Sequence, residues 1–323
     1  MKRIFVTLCA ITLMLTPVRA QEKTWRLGFL TPGVAEPGTP GSIPQTTLRV
    51  LDERGFKEGR NLVYFPAAAD GDLSRLPGLA RMLAEQRVDV IVAVGAVSAR
   101  AAMTAAPSTP IVLSFVGEDP VKAGLAESLS RPGGSVTGIF FRAIETDAKR
   151  LELLSQAMPS AGVLGFLATP TLEPERSELL AQTAAQLGVS LKTRVVQGPT
   201  EFQAAFDAFQ AEGVAGVLVM GNTLFAPHAA TFSRLGNERA IATICEWDYM
   251  ARAGCTFAFG PNLVALRRLT GYYVEHIFNG AKPAEMPIQL PDRFTLSLNL
   301  RAADQLKLAL PLTFLARVDE TIE

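Results

Sequence analysis

Histidine is nearly missing from this 323-residue sequence, which holds only His228 and His276. A multi-histidine metal centre is thereby excluded, and no His-Glu-x-x-His or paired Cys-x-x-Cys spacing offers a substitute. His276 falls among Tyr272, Tyr273 and Phe278 on a helical stretch and reads as an ordinary surface or core histidine. The sequence also lacks a Gly-x-Ser-x-Gly elbow for acyl transfer and a Walker-type loop for nucleotides. No cofactor is expected.

Neither sign of charge prevails: 31 basic residues face 31 acidic ones, without a basic run. Setting aside Lys2, Arg3 and Arg19 leaves 28 bases against 31 acids, so nucleic acid is not an expected partner. Long apolar runs are scarce too. The one near the start, Ile4 to Leu15, follows Lys2 and Arg3 and precedes Val18-Arg19-Ala20, the layout of a secretory leader over residues 1–20, cleaved near Ala20/Gln21. Elsewhere nothing reaches the ~20 apolar residues that span a bilayer. Cys9 lies inside that run, too early for a lipid-modified cysteine, so export to the periplasm without a lipid anchor is expected. Beyond the leader only Cys245 and Cys255 remain. In an oxidising compartment they could pair, or they could serve as small apolar core residues; the spacing leaves both open.

What the sequence does hold is an alternation of short apolar runs and amphipathic segments. Trp25 to Leu30 opens it, and further runs follow at Val88–Val94, Ile111–Val116, Val136–Phe141, Val163–Leu167, Val189–Val196, Val214–Met220, Ile241–Cys245 and Cys255–Phe259. Each is short and β-rich, as a strand buried on both faces should be. Between them, Pro44–Gly55, Leu76–Gln86, Ala148–Met158, Glu175–Leu187, Thr200–Ala211 and Leu263–Phe278 read as covering helices. Such alternation predicts an α/β protein with parallel, doubly wound sheets. About 303 residues after the leader exceed what one core usually holds, so two lobes are expected. With no disordered linker, they should be joined by several crossings, as in a hinged clam-shell. The expected division is 21–141 plus about 263–288 for lobe 1 and 142–262 plus about 289–323 for lobe 2.

Open α/β sheets bind ligands where strand ends give way to helix starts. Candidate contacts are therefore Gly33 in Thr31-Pro32-Gly33, Gly95, Ala96 and Ser98 after the run ending at Val94, and Gly117 and Asp119 in Val116-Gly117-Glu118-Asp119-Pro120. Helix N-termini near Gly33, Ser98 and Asp119 would favour anionic oxygens. Asp119 before Pro120 equally fits a strand-to-helix turn that it caps. From the other lobe, Thr169, Asn222, Thr223 and Phe259 would face them, with Glu246-Trp247-Asp248-Tyr249 the richest segment. There an indole and a phenol could cover an organic ligand while a carboxylate neutralises an ammonium group.

Several motifs carry a family resemblance. They are Gly55-Phe56-Lys57-Glu58-Gly59-Arg60-Asn61-Leu62, Arg75-Leu76-Pro77, Asp119-Pro120-Val121 with Gly124-Leu125, and Ser130 through Thr137-Gly138. Lys149-Arg150-Leu151-Glu152-Leu153-Leu154, Gly280-Ala281-Lys282-Pro283-Ala284 and Leu315-Ala316-Arg317-Val318-Asp319-Glu320 continue the set. Together they make the chain resemble the ABC transporter substrate-binding proteins whose characterised members bind aromatic amino acids, on the type I periplasmic binding fold. Two departures stand out: Thr169-Pro170-Thr171 replaces a frequent Asn-Pro pair, and Glu246-Trp247 is more aromatic than usual. The resemblance implies a monomeric, non-enzymatic periplasmic component that captures a small organic molecule, such as an aromatic or other amino acid or a carboxylate, for an ABC permease in the inner membrane. Thr137, within one of the shared motifs, joins the candidate contacts. A ligand-sensing domain for a receptor is the alternative, and a secreted enzyme the more distant one.

Overall fold

In the computed structural model, residues 23–33, 42–222 and 225–323 are described; the expected leader with Cys9, and Thr223, lie outside them. Five strands, β1 (Trp25–Thr31), β2 (Leu62–Ala68), β3 (Val90–Val94), β4 (Ile111–Val116) and β5 (Val136–Phe140), form one sheet in the order β2-β1-β3-β4-β5. All its pairings are parallel. The side chains of β3 are buried throughout, which explains its unbroken Val-Ile-Val-Ala-Val. Helices α1 (Ile43–Glu53), α2 (Leu76–Glu85) and α3 (Gly95–Ala105) connect and cover these strands. Strand β2 has no counterpart in the expected runs. It carries Pro66 and tolerates it because β2 lies at the sheet edge.

The second sheet repeats the winding. Its strands β6 (Val163–Ala168), β7 (Ser190–Val195), β8 (Gly216–Val219), β9 (Ala242–Cys245) and β10 (Phe257–Pro261) take the order β7-β6-β8-β9-β10. Beyond β10, β11 (Phe294–Asn299) pairs antiparallel and β12 (Glu320–Ile322) pairs parallel to β11. Helices α4 (Ala143–Ala157), α5 (Pro174–Leu187), α6 (Phe202–Ala211), α7 (Ala229–Glu238) and α8 (Asp248–Arg252) accompany this sheet. The structure thus has two parallel-sheet α/β lobes.

The chain passes between the sheets three times. It leaves the first after β5, and returns after β10 through α9 (Leu263–Phe278), whose cap Asn262 accepts from the Ala265 N–H at 3.0 Å. Helix α9 lies on α1 and on β3, β4 and β5, and its Thr270 hydroxyl meets that of Ser114 at 3.1 Å inside the core. Residues 288–289 then ride along β5, with Phe140 N–H donating to the Gln289 carbonyl at 3.0 Å, before β11 rejoins the second sheet. The C-terminal α10 (Leu300–Gln305) and α11 (Leu312–Leu315) complete that lobe. Among the described residues no helix is long and apolar enough to cross a membrane.

Cys245, at the end of β9, is bonded to Cys255, just before β10, and both are fully buried. Of the two roles open at the level of sequence, pairing is realised, within the core. The bridge closes a short loop and removes that loop's freedom from the unfolded chain. Replacing both cysteines by alanine is expected to lower stability by about 2–3 kcal/mol. Urea denaturation of the two proteins checks this, and superimposable curves would contradict it.

Candidate functional site

Because both sheets wind alike, each has a topological switch point where successive connections leave in opposite directions: between β1 and β3 in lobe 1 and between β6 and β8 in lobe 2. At the lobe 2 switch point, Thr169 follows β6 and is buried, its hydroxyl 2.8 Å from that of Thr171. The Asn222 amide, beyond β8, donates to both hydroxyls at 3.3 Å. Two segments far apart in sequence therefore place three uncharged polar side chains together.

Beneath them lies a buried charge cluster. Arg150 on α4 and Asp147, one turn before it, are both wholly buried and 2.8 Å apart. Asp147 also holds Arg176 of α5 at 2.8 Å, and Arg176 reaches Glu173 at 3.0 Å. The Arg150 guanidinium donates to the Val219 carbonyl at the end of β8 and stands 3.7 Å from Glu246, just past β9. Glycine at 221 is required here: a Cβ would fall 2.6 Å from Glu246 Oε1 and 3.0 Å from Arg150 Nη2. Burial pushes the Glu246 carboxyl up to about 7, against the opposing pull of Arg150. Of the two carboxylates in this segment, Glu246 therefore lies within the buried cluster, 3.7 Å from Arg150.

Trp247, next along the chain, turns toward the other lobe. It is 7% exposed, with its indole 5.6 Å from the Phe115 ring and 5.5 Å from that of Phe141, centre to centre. Phe115 lies near the end of β4 with φ of +54°, a conformation that bulky residues rarely adopt. The β4–β5 register shifts between Leu113 and Val116, and opposite Leu113 stands Gly138, where a Cβ would meet the Leu113 carbonyl oxygen at 2.4 Å. Such strain concentrates at functional sites. Sequence reasoning passes over Phe115, since it sits in an ordinary apolar run. At the rim, Lys122 of lobe 1 meets Glu175 of lobe 2 at 2.8 Å.

The remaining candidates separate. Gly33 is exposed after β1, where its N–H donates to the Thr31 hydroxyl at 3.2 Å. Gly95, with φ of +73°, starts α3, while Ala96 and Ser98 face inward and are buried. Gly117 serves close packing, because a Cβ there would lie 2.9 Å from that of Ala143. Asp119 accepts from the Val121 and Lys122 N–H groups, but the segment after it forms turns, so the helix expected at this strand end is absent. Its backbone donors are consumed within the turn. Thr137 lies at the start of β5, the edge opposite the strand ends, and donates to the Met286 carbonyl at 2.7 Å; the structure does not bring it to the cleft. Asp248 opens the five-residue α8, Tyr249 beside it is exposed, and Phe259 stacks on Phe294 at 5.6 Å. His276 is exposed, its Nδ1 2.7 Å from the Tyr272 carbonyl. Among the described residues, no group of three or more His, Cys, Asp or Glu side chains could hold a metal ion.

Two hollows are prominent. The larger, about 450 Å³, lies between α2 and α3; the smaller, about 160 Å³, opens at the lobe 1 switch point. Physical argument favours the smaller, since ligands of open α/β sheets bind at switch points.

The family described as ABC transporter substrate binding protein matches residues 43–322. A tyrosine-binding protein of Clostridioides difficile is 24% identical over 275 residues, covering 81% of this chain and 76% of that protein. A conserved domain protein of Vibrio cholerae superposes with a TM-score of 0.82 at 25% identity, over 93% of this chain and all of the other. A Streptococcus pneumoniae ABC domain in complex with L-Trp gives 0.80 at 20% identity, over 93% and 100%. Solved solute-binding proteins of the type I periplasmic fold share the two-lobed architecture.

Glu246 generates a pH prediction. Its carboxyl is raised from about 4.5 to about 7 in the folded protein, so its favourable share of stability is full below pH 4.5 and is lost as pH rises through 7. Glu246→Gln, which cannot ionise, should gain on the wild type by about 3 kcal/mol between pH 4.5 and 8. Melting curves across that range test it; parallel profiles for the two proteins would refute it.

Proposed function

The chain belongs to the family of ABC transporter substrate binding proteins, and from that premise we propose that it captures an amino acid or related carboxylate between its lobes and delivers it to an inner-membrane permease. The observation that carries this reading is the contact of Trp247 in lobe 2 with Phe115 of lobe 1, at the strand ends where the two sheets meet. A ligand touching both lobes binds the closed arrangement better than an open one, so its binding energy moves the population toward closure. The Lys122–Glu175 ion pair supports the same closed geometry, though water and salt screen an exposed pair strongly.

Within the cleft, Thr169 and Asn222 would orient the solute's polar atoms, and Trp247 with Phe115 would cover its apolar part. A tyrosine-binding relative and an L-Trp complex in a structural neighbour favour aromatic amino acids. The protein would act as a monomer in the periplasm, after removal of the leader near Ala20/Gln21, and would leave its ligand chemically unchanged.

Thermal denaturation against L-tyrosine, L-tryptophan, other amino acids and small carboxylates tests capture. A ligand at 100 times its dissociation constant adds roughly 2.7 kcal/mol of stability. Asn222→Leu should weaken the responding ligand by about tenfold. Affinity unaltered in that variant would remove the lobe 2 cluster from the site, and a ligand converted to another compound on incubation would replace capture with catalysis.

A further inference from the structure

The 160 Å³ cavity at the lobe 1 switch point differs in kind from the polar cluster facing it. Its walls include Phe29 and Thr31 of β1, Tyr64 of β2, Val94 at the end of β3, Ser42 at the start of α1, and Arg267 of α9. Among the described residues, its lining includes a cation and the hydroxyls of Thr31, Ser42 and Tyr64, and no carboxylate. The Thr31 hydroxyl oxygen already accepts from the Gly33 N–H, so a proton is what it offers a ligand. Ser42 caps α1, accepting from the Gln45 N–H at 3.3 Å, and the first turn of α1 contains no acidic residue. At the opposing switch point in lobe 2, the side chains of Thr169, Thr171 and Asn222 that meet there are uncharged.

We propose that this cavity is the anion subsite of the cleft, taking a carboxylate of the captured solute with Arg267 as counter-charge. The proposal rests on the reading of the protein as a solute-capturing component and names the chemistry of one end of its ligand. Arginine keeps its charge at any physiological pH and matches a carboxylate with two parallel donors. Half-buried beside the Phe29 and Tyr64 rings, its attraction for an anion is screened less than it would be in water. A whole small-molecule site occupies ~300 to 1,000 Å³, so this cavity holds one end of the solute while the rest lies between the lobes. Arg267 also belongs to α9, the segment by which the chain re-enters lobe 1 after β10. An anion drawn to it is held beside one of the three crossings about which the lobes turn.

Calorimetric titration of the full mature protein with matched pairs tests the assignment: L-tyrosine with tyramine, L-tryptophan with tryptamine, and phenylacetate with phenylacetamide. The wild type should bind the carboxylate member of a pair at least tenfold more tightly. Arg267→Gln should weaken that member by 10- to 100-fold and leave its partner within threefold, and Arg267→Lys should fall between. The lysine variant retains a cation and serves if the glutamine variant fails to fold. A carboxylate preference unchanged in the variants overturns the role of Arg267 while leaving capture intact. Wild-type preference for the amine or amide members overturns the anion subsite, and failure to bind any of the six compounds overturns both the subsite and the reading beneath it.

Discussion

Arg150 is the side chain on which the organisation of lobe 2 turns. It is wholly buried, and a buried guanidinium is costly unless its charge is paired. Asp147 meets the charge from one helical turn away, the Val219 carbonyl at the end of β8 accepts a hydrogen bond from the guanidinium, and Glu246 approaches from the end of β9. One cation thus ties α4 to two neighbouring strand ends. Those ends lead directly into Asn222 and Trp247, so the cluster holds the cleft residues through their own backbone. Removing one partner from such a cluster leaves an uncompensated buried charge, which costs about 3–5 kcal/mol.

The two lobes share a winding and differ in what they present at the switch points. Lobe 2 brings hydroxyls and an amide over a buried ion cluster, whereas lobe 1 brings an arginine beside aromatic rings. Between them, Trp247 crosses to Phe115 and Phe141. Phe115 takes a positive φ near the end of β4, and the absent side chain of Gly138 lets β5 lie close against the backbone of Leu113. Solute capture needs this arrangement, because a ligand can drive closure only through contacts divided between two bodies.

Much of the fold is legible in the sequence. Central strands such as Val90–Val94 announce themselves as unbroken apolar runs, and α9 from Leu263 to Phe278 is readable to its ends, helped by Asn262 as cap. Edge strands are harder. Strand β2, with Pro66, escapes the pattern, and β7, found where expected, is exposed or half-buried and not buried on both faces, because an edge position demands neither full burial nor a complete set of donors. The helix expected after Asp119 fails for a related reason: capping oxygens and a proline start a turn as readily as a helix, and only the residues beyond decide which. In the site, Thr169 and Asn222 are legible as polar residues at strand ends. Arg267 is not, since it stands mid-helix among other charged residues and nothing local distinguishes it from a solvated face.

By itself the sequence determined the α/β class, through periodicities that operate over a few residues, and it holds two histidines, no Walker-type loop and no Gly-x-Ser-x-Gly elbow. Only the tertiary structure decided which strand ends adjoin. Pairing order placed Thr169 against Asn222 and Cys245 against Cys255, burial joined Asp147, Arg150, Arg176 and Glu246, and the return of α9 set Arg267 beside Thr31. The physical reason is one of range. Strand and helix patterns are written in neighbours along the chain, while a cleft is lined by residues whose neighbourhood exists only after the sheets have wound and the chain has crossed between them.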